Sequence, residues 1–147
     1  MNFQNPNDDE IKILLARVRT IAVVGLSPRA QRPSHRVASA LQRFGYTIIP
    51  VRPAVAEVLG ERAYANLRDL PVKPDLVDVF RAPQYVATIV DDCIALGAPA
   101  LWLQEGVVDE VAASRARAAG MQVVMDRCMF RDYMRFFDGA PLDSLGG

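Results

Sequence analysis

Five short apolar runs punctuate the chain, and most of them are continuous rather than alternating with polar residues. They are rich in β-branched residues and read TIAVV (20–24), TIIPV (47–51), LVDVF (76–80), ALWL (100–103) and QVVM (122–125). Continuous apolar runs of this length are typical of parallel strands that are covered on both faces. The pattern therefore predicts a mainly parallel sheet of about five strands.

Helical patterns lie between these runs. Apolar residues recur at helical spacing in the segments 37–44 and 86–93. One further helix is predicted ahead of the first strand, from about Asp8 to Arg19, with Asn7 or Asp8 as its cap. Helices and strands thus alternate along most of the chain.

Glycines mark the connections between these elements. Three helical patterns end in a glycine that closely precedes a strand: Gly45, Gly97 and Gly120. Glycine accepts the left-handed conformation that closes a helix, so each of them indicates a short αβ connection. Repeated β-α-β units predict an α/β fold, namely a doubly wound, Rossmann-like three-layer sandwich.

The size and composition of the chain suit one hydrophobic core. The chain has 147 residues, of which 51% are hydrophobic, so we expect a single domain over residues 1–147. Its core is expected to span residues 8–137. The segment 138–147 ends in GAPLDSLGG, and its small residues predict a flexible tail.

Charge and cysteine content exclude several classes of function. The 17 Lys and Arg residues balance the 17 Asp and Glu residues, which argues against a nucleic-acid partner. The single His and the two Cys lack the spacing of metal ligands, and Cys93 and Cys128 suit the free thiols of a reducing cytoplasm.

The sequence contains neither a signal-peptide pattern nor an apolar stretch long enough to cross a bilayer. We expect a cytoplasmic protein with no membrane partner.

The first candidate site follows the first strand, because ligands of doubly wound sheets bind at the carboxyl ends of the strands. The segment 25–35, GLSPRAQRPSH, begins with Gly25, which allows a tight turn. Ser34 is predicted to cap the following helix, whose free amides would attract an anion, and Arg29 and Arg32 add positive charge. The segment is neither G-x-G-x-x-G nor a P-loop, so a phosphate site and an ordinary βα turn both fit it.

The end of the second strand narrows the choice of ligand. A NAD site needs an acidic residue here to hold the ribose 2′-hydroxyl, whereas this chain has Arg52. An arginine suits a phosphorylated ribose, as in NADP or coenzyme A. A solvated surface arginine is the alternative.

Two more strand ends carry candidate residues. Phe80 could stack on a base or pack in the core, and Arg81 could reach a phosphate or a nearby carboxylate. The fourth strand is followed by Gln104, Glu105 and Gly106, which form a turn by default. Only their position at a strand end makes them candidates for a ligand site.

Taken in order, these segments resemble the small stand-alone CoA-binding domain proteins of bacteria, which are similar to the N-terminal domain of the succinyl-CoA synthetase α subunit. The matching stretches are VGLSPRAQRPSH, GYTIIPVRP, EVLGERAYANL, DLVDVFRAP, LWLQEGV and VVMDRC. The resemblance covers about residues 10–135. It implies a small-molecule ligand, coenzyme A or an acyl-CoA, held without turnover in a carrier or sensor role.

The resemblance also implies where the ligand lies. The first loop would hold the CoA phosphates, the segment after the second strand would follow the adenosine and its 3′-phosphate, and the third strand end would border adenine and pantetheine. Asn or Lys is commoner in the family where this chain has Arg52. With the remaining strand-end positions included, the predicted cofactor-binding residues are Gly25, Leu26, Ser27, Pro28, Arg32, Pro33, Ser34, Val51, Arg52, Phe80, Arg81, Gln104, Glu105 and Gly106.

We predict no catalytic residue and no metal site. The synthetases need a second domain with a phosphorylated histidine, which a chain of this size is not expected to contain. His35 lies in an opening helical turn, which suits a structural or ligand-adjacent role.

An NADP-dependent or other nucleotide-using oxidoreductase is the first alternative to a CoA-binding protein. The second is a protein-interaction module with a vestigial pocket, in which the apolar segment 129–137 docks a partner or forms a homodimer.

Cys128 is a candidate redox thiol. It follows the last strand, next to Arg127, where a helix N-terminus and a neighbouring arginine can activate a thiol. A disulfide with the thiol of coenzyme A would then act as a redox-sensitive switch. The alternative is a small buried hydrophobic residue, which is also our interpretation of Cys93.

Overall fold

The computed structural model describes residues 3–146, which contain seven strands and five α-helices. The strands are β1 (Thr20–Val24), β2 (Thr47–Val51), β3 (Glu57–Val58), β4 (Glu61–Arg62), β5 (Leu76–Val79), β6 (Ala100–Leu103) and β7 (Gln122–Met125). Five of them form one sheet in the order β2-β1-β5-β6-β7, and all its pairings are parallel. The predicted five-strand parallel sheet is confirmed, and its strand order reverses between β1 and β5.

Helices cover both faces of the sheet. They are α1 (Asp8–Arg17), α2 (Pro33–Phe44), α3 (Val86–Leu96), α4 (Glu110–Ala118) and α5 (Met129–Phe137). Buried residues of α3 and α4 pack on one face, and those of α1, α2 and α5 pack on the other. The Rossmann-like three-layer sandwich is therefore confirmed. No helix within residues 3–146 is both long and apolar enough to cross a membrane.

Helix α1 begins as its sequence predicts and ends earlier. The Asn7 side chain accepts a hydrogen bond from the Glu10 amide at 2.9 Å, and the Glu10 side chain accepts one from the Asn7 amide at 3.2 Å, which is a capping box. The predicted end at Arg19 is wrong by two residues. The backbone turns extended at Val18, and the Arg19 amide donates to the Asp75 carboxylate at 2.9 Å instead of continuing the helix.

A small antiparallel hairpin of β3 and β4 was not expected from the sequence. Its turn consists of Leu59 and Gly60, both with positive φ, which is the backbone geometry of two-residue hairpins. After the hairpin, Tyr64 bridges to Val51, and the Arg52 amide donates to the Tyr64 carbonyl at 2.8 Å. The segment after the hairpin therefore covers the β2 edge of the sheet and fixes the backbone at Arg52.

The core extends beyond the predicted limits of 8–137. Phe3 is buried in the core between the sheet and α3/α4, and Leu142 is buried in the core on the opposite face. A Cβ on Gly45 would lie 3.2 Å from the Leu142 Cβ, so Leu142 covers the end of α2. Leu142 thus belongs to the core although it lies in the segment 138–147 for which a flexible tail is predicted, and Gly147 of that segment lies outside the described residues.

Candidate functional site

The reversal of strand order brings the loops after β1 and β5 into close contact. Gly25 has φ of +84°, and a Cβ placed on it would lie 2.6 Å from the Phe80 carbonyl oxygen and 3.1 Å from the Arg81 Cδ. The Phe80 amide donates to the Val24 carbonyl at 2.9 Å. The tight turn expected at Gly25 is present, and a side chain there would push the two loops apart.

A cleft of about 1490 Å³ opens at this point, which is where doubly wound sheets bind ligands. Its lining brings together most of the residues predicted from the sequence: Gly25, Ser27, Pro28, Arg32, Pro33, Ser34, Arg52, Phe80, Arg81, Gln104, Glu105 and Cys128. Residues from four strand ends thus meet in one space, together with the start of α5.

Three predicted residues lie outside the lining. Leu26 is fully buried on the α2 face of the sheet, and Val51 is buried on the α3 face. Gly106 is exposed, and its amide donates to the Asp126 carboxylate at 2.7 Å, away from the cleft. Leu26 and Val51 belong to the core because their side chains pack into the clusters on the two covered faces of the sheet.

Ser34 does not cap α2, contrary to the sequence prediction. The cap is Arg32, whose side chain makes no capping hydrogen bond, and Pro33 occupies the first helical turn. The Ser34 hydroxyl instead accepts a hydrogen bond from the Ser27 amide at 3.0 Å, and the Ser27 hydroxyl accepts one from the Arg29 amide at 3.1 Å. These serines fold the loop over the start of α2, where the helix dipole favours an anion.

The cleft is strongly cationic although the whole chain is neutral. Seven arginines line it: Arg29, Arg32, Arg36, Arg43, Arg52, Arg81 and Arg131. Glu105 is the one carboxylate among the described lining residues, and it is paired with Arg131. Within residues 3–146, Arg29, Arg32 and Arg52 form no ion pair with a carboxylate.

Arg36 and Arg43 of α2 and Arg131 of α5 were missed by reasoning from strand ends alone, whereas Arg32 was predicted. A signal for the two α2 residues was present, because Arg36 and Arg43 recur with Arg32 at spacings that place all three on one helical face. Arg131 carried no such signal. It enters the cleft only because α5 packs beside α2, where Phe130 stacks near Phe44 with ring centroids 6.0 Å apart.

Phe80 and Arg81 form the floor of the cleft beside Gly25. Phe80 is half-buried, packs against the core on the α2 face and also lines the cleft, so the two roles considered for it are compatible. The Arg81 guanidinium carbon lies 4.2 Å from the centre of the Tyr85 ring. This cation–π contact holds Arg81 at the strand end.

The wall beneath α5 is built from the ends of β6 and β7. Gln104 is buried, and its side-chain oxygen accepts a hydrogen bond from the Met129 amide at 3.3 Å. Cys128 is the half-buried cap residue of α5 and faces the cleft. Cys93, by contrast, is a core residue as predicted, and burial raises the pKa of its thiol to about 12.

Asp78 is an anomaly in the central strand β5. It is fully buried, and neither of its carboxylate oxygens has a hydrogen-bond partner among the described residues. It lies in register between Val23 and Trp102, and burial raises the pKa of its carboxyl well above the ordinary value. Burial therefore favours the neutral form of this carboxyl over the charged form in the folded protein.

The arrangement is suited to binding a multiply charged anion. Guanidinium groups and the start of a helix converge on one open cleft, and His35 lies half-buried at its side. Within residues 3–146 no group of three or more His, Cys, Asp or Glu side chains could hold a metal ion. The fold and the cleft together define a doubly wound α/β domain with an arginine-lined cleft at its switch point.

Comparison with known proteins identifies the family. Residues 19–134 match the model of the CoA binding domain family, and the chain belongs to that family. It is 41% identical over 127 residues to the uncharacterized protein YneT of Bacillus subtilis (strain 168), covering 86% of this chain and 94% of YneT. The resemblance stated from the sequence is thus confirmed.

Two further proteins are similar to this chain, one in its whole structure and one in part of its sequence. A hypothetical protein from Pyrococcus horikoshii OT3 has a solved structure with a TM-score of 0.86 and 34% identity, covering 92% of this chain and 99% of that one. An ADP-forming acetate–CoA ligase of Archaeoglobus fulgidus is 27% identical over 75 residues, which are 51% of this chain and 11% of the ligase. The similarity to the ligase thus involves only a small part of that enzyme.

Proposed function

We propose that the protein binds coenzyme A or an acyl-CoA in the cationic cleft without turning it over, as a carrier or a sensor. The observation that carries this proposal is the group Arg29, Arg32 and Arg52, which line the cleft and pair with no carboxylate within residues 3–146. Coenzyme A carries a diphosphate and a 3′-phosphate, so its charge complements that of the cleft. Membership of the CoA binding domain family supports the choice of ligand.

The diphosphate would lie at the loop after β1. Gly25 allows close approach of the backbone, and Ser27 and Ser34 hold the loop over the start of α2. Arg32 stands at the helix cap and is exposed to the cleft. A helix N-terminus and a guanidinium group acting together are a strong attraction for phosphate.

The 3′-phosphate would pair with Arg52. The backbone of Arg52 is held by the hydrogen bond from its amide to the Tyr64 carbonyl, while its half-buried side chain lines the cleft. Because this backbone is already fixed, binding at Arg52 costs side-chain freedom but little backbone freedom. Arg52 is thus the residue proposed to distinguish coenzyme A from dephospho-CoA.

The remaining predicted residues would border the rest of the ligand. Phe80 offers an aromatic surface and Arg81 a fixed cation, both suited to adenine and the pantetheine arm. Gln104 and Glu105 form the wall toward α5. Leu26, Pro28, Pro33, Val51 and Gly106 would shape these loops rather than contact the ligand through polar groups.

Calorimetric titration with coenzyme A, dephospho-CoA and NADP tests the proposal. We expect coenzyme A to bind most tightly, and Arg52→Gln to weaken coenzyme A binding about tenfold while leaving dephospho-CoA unaffected. Lys12→Gln, which neutralises an exposed cation on α1 outside the cleft, is the matched control. Equal affinity for NADP would favour the oxidoreductase alternative, and no binding of any of the three would favour the interaction module.

The redox role of Cys128 stays a prediction that depends on coenzyme A binding. Both cysteines are free thiols, as suits a reducing compartment such as the cytoplasm. Attack of the Cys128 thiolate on CoA disulfide would form one protein–CoA disulfide and release one CoA thiolate. Mass spectrometry after incubation with CoA disulfide should find a single adduct at Cys128 and none at the buried Cys93.

A further inference from the structure

A second cavity, of about 550 Å³, adjoins the cationic cleft and is lined by the loops after β6 and β7 and by α5. Three residues line both spaces: Glu105, Cys128 and Arg131. Because Glu105 and Arg131 form an ion pair, their side chains mark the boundary between the two spaces. One elongated ligand can therefore enter both.

The second cavity differs from the cleft in charge. Each arginine in its lining is paired with a carboxylate: Arg127 with Asp132, Arg131 with Glu105, and Arg135 with Asp8. Two of its carboxylates, Asp126 and Asp138, take part in no ion pair within residues 3–146. The cleft thus offers unpaired cations to a ligand, whereas the second cavity offers unpaired carboxylates.

The backbone fixes where these two carboxylates lie. Asp126 and Asp138 have φ of +61° and +51°, a conformation that Asp and Asn adopt more readily than other side-chain-bearing residues. The Asp126 carboxylate accepts a hydrogen bond from the Gly106 amide at 2.7 Å. Asp138 ends α5, where its amide donates to the Met134 carbonyl at 2.9 Å. The negative charge is therefore a built feature of this cavity.

The distance across the sheet matches the length of the pantetheine arm of coenzyme A. The diphosphate is proposed to lie at the loop after β1, and β5 and β6 separate β1 from β7. Three strand spacings of about 4.8 Å amount to roughly 14 Å. The arm has about as many bonds as four residues of extended chain, which span at most about 14 Å. An extended arm thus brings its sulfur to the loop after β7, which contains Cys128.

We infer that the second cavity receives the acyl group of an acyl-CoA and selects acyl groups that carry no carboxylate. This inference rests on the proposed binding of coenzyme A in the cleft. A carboxylated acyl group would approach Asp126 and Asp138, whose charges repel it, and would meet no unpaired arginine among the described lining residues. An uncharged acyl group meets no such repulsion, and Met134 provides an apolar contact.

Calorimetric titration of the natural chain with butyryl-CoA and succinyl-CoA tests this selection. The two acyl groups have the same number of carbon atoms, and only succinyl ends in a carboxylate. We expect butyryl-CoA to bind about tenfold more tightly than succinyl-CoA, because charge repulsion acts on one of them alone. Coenzyme A is titrated in parallel, since its binding tests the proposed function separately.

The double variant Asp126→Asn with Asp138→Asn tests the cause of the selection. Asparagine tolerates the left-handed backbone and can still accept from the Gly106 amide, but it carries no charge. This variant should bind the two acyl-CoAs with affinities within about twofold of each other. Asp143→Asn, which neutralises an exposed carboxylate outside both cavities, is the matched control and should keep the preference of the natural chain.

Alkylation of Cys128 by iodoacetamide tests the direction of the arm. Bound butyryl-CoA should slow this reaction severalfold, because the thioester end of the ligand would cover the thiol at the boundary of the two cavities. Mass spectrometry of the digested protein measures the modified fraction of Cys128 over time. An unchanged rate at saturating butyryl-CoA would mean that the acyl group lies elsewhere, which overturns the inference.

The titrations separate failure of this inference from failure of the proposed function. If coenzyme A binds and the two acyl-CoAs bind equally well, the inference is wrong and the proposed function stands. A preference that persists in the double variant also overturns the inference, because the two carboxylates would then not be its cause. If coenzyme A does not bind at all, the proposed function is wrong and the inference falls with it.

Discussion

Gly25 and Gly106 show how two glycines with the same backbone angle can have different roles. Their φ values are +84° and +82°, so a side chain is strained at both. Only at Gly25 would a Cβ also meet a backbone atom, at 2.6 Å from the Phe80 carbonyl oxygen; at Gly106 nothing lies within 4 Å. Comparing substitutions at the two glycines therefore separates the effect of the close contact between the loops after β1 and β5 from the effect of backbone strain.

We therefore expect Gly25→Ala to lower the free energy of unfolding by roughly 3 kcal/mol, as the clash adds to the strain. Gly106→Ala should lose about 1 kcal/mol, because it carries the strain alone. Urea denaturation of the two variants measures the difference. Equal losses would mean that the loops move apart freely, and that their close approach does not constrain the cleft.

Asp78 makes stability depend on pH in a direction that is unusual for a carboxyl group. Its folded pKa is raised above the ordinary value of 3.8 because it is buried without a partner. A carboxyl with a raised pKa makes its full contribution to stability below its unfolded pKa. That contribution is lost as pH rises from the unfolded pKa through the folded pKa. Each pH unit in this window costs up to about 1.4 kcal/mol.

Asp78→Asn removes this dependence, since an amide does not ionise. Relative to the natural chain, we expect the variant to gain stability as pH rises above the ordinary carboxyl pKa of 3.8. Denaturant midpoints of both proteins across that range measure the gain, and the other titrating groups cancel in the comparison. Parallel pH profiles would show that Asp78 ionises in the folded protein at little cost.

At the scale of secondary-structure elements, α2 carries the cationic face of the cleft along its length. Arg32 stands at its cap and Arg43 near its end, about 16 Å further along at 1.5 Å per residue. This distance exceeds the screening length of about 8 Å at physiological salt. A phosphate held at the start of the helix should therefore interact with Arg32 and hardly with Arg43.

Replacing each of these arginines separately tests that expectation. Arg32→Gln should weaken coenzyme A binding about tenfold, whereas Arg43→Gln, on the same helix and also exposed, should change it by less than about twofold. Calorimetry at physiological salt measures both. A larger loss for Arg43→Gln would place the phosphates along the helix instead of at its N-terminus.

The elements also show which parts of the fold are predictable. Strands and glycine-closed helices follow from local patterns, and four of the five sheet strands have their predicted limits. The hairpin was not predicted, because its turn at Leu59 and Gly60 uses a leucine with φ of +55° in place of the usual asparagine. Leu142 was misjudged because tertiary packing against the end of α2, and not local composition, decides its burial.

The part of the candidate site that lies at the strand ends could be predicted from the sequence, because the parallel topology of the sheet determines where the strands end. Parallel strands end at one edge, so residues such as Gly25, Arg52 and Arg81 could be placed together without coordinates. Ser34 was assigned the wrong role because its hydroxyl bonds to Ser27, seven residues away, and not to its own helix. Arg131 could not be found, since its place depends on how α5 packs against α2.

For the whole molecule, the contrast between a neutral chain and a cationic cleft determines how ligand binding should respond to salt. A ligand that binds only the folded state stabilises it by about 2.7 kcal/mol at a hundredfold excess over Kd. For a domain of this size that corresponds to a rise in Tm of roughly 5–10 °C. Coenzyme A should therefore raise Tm clearly at low salt.

The rise should shrink as salt is added, because screening weakens attraction between the arginines and the phosphates. Pantetheine, which lacks the adenosine and all three phosphates, is the comparison ligand and should raise Tm little at any salt concentration. Thermal unfolding with each ligand at low and high salt measures both effects. A rise with coenzyme A that is independent of salt, or an equal rise with pantetheine, would mean that apolar contacts and not the arginine-lined cleft provide the affinity.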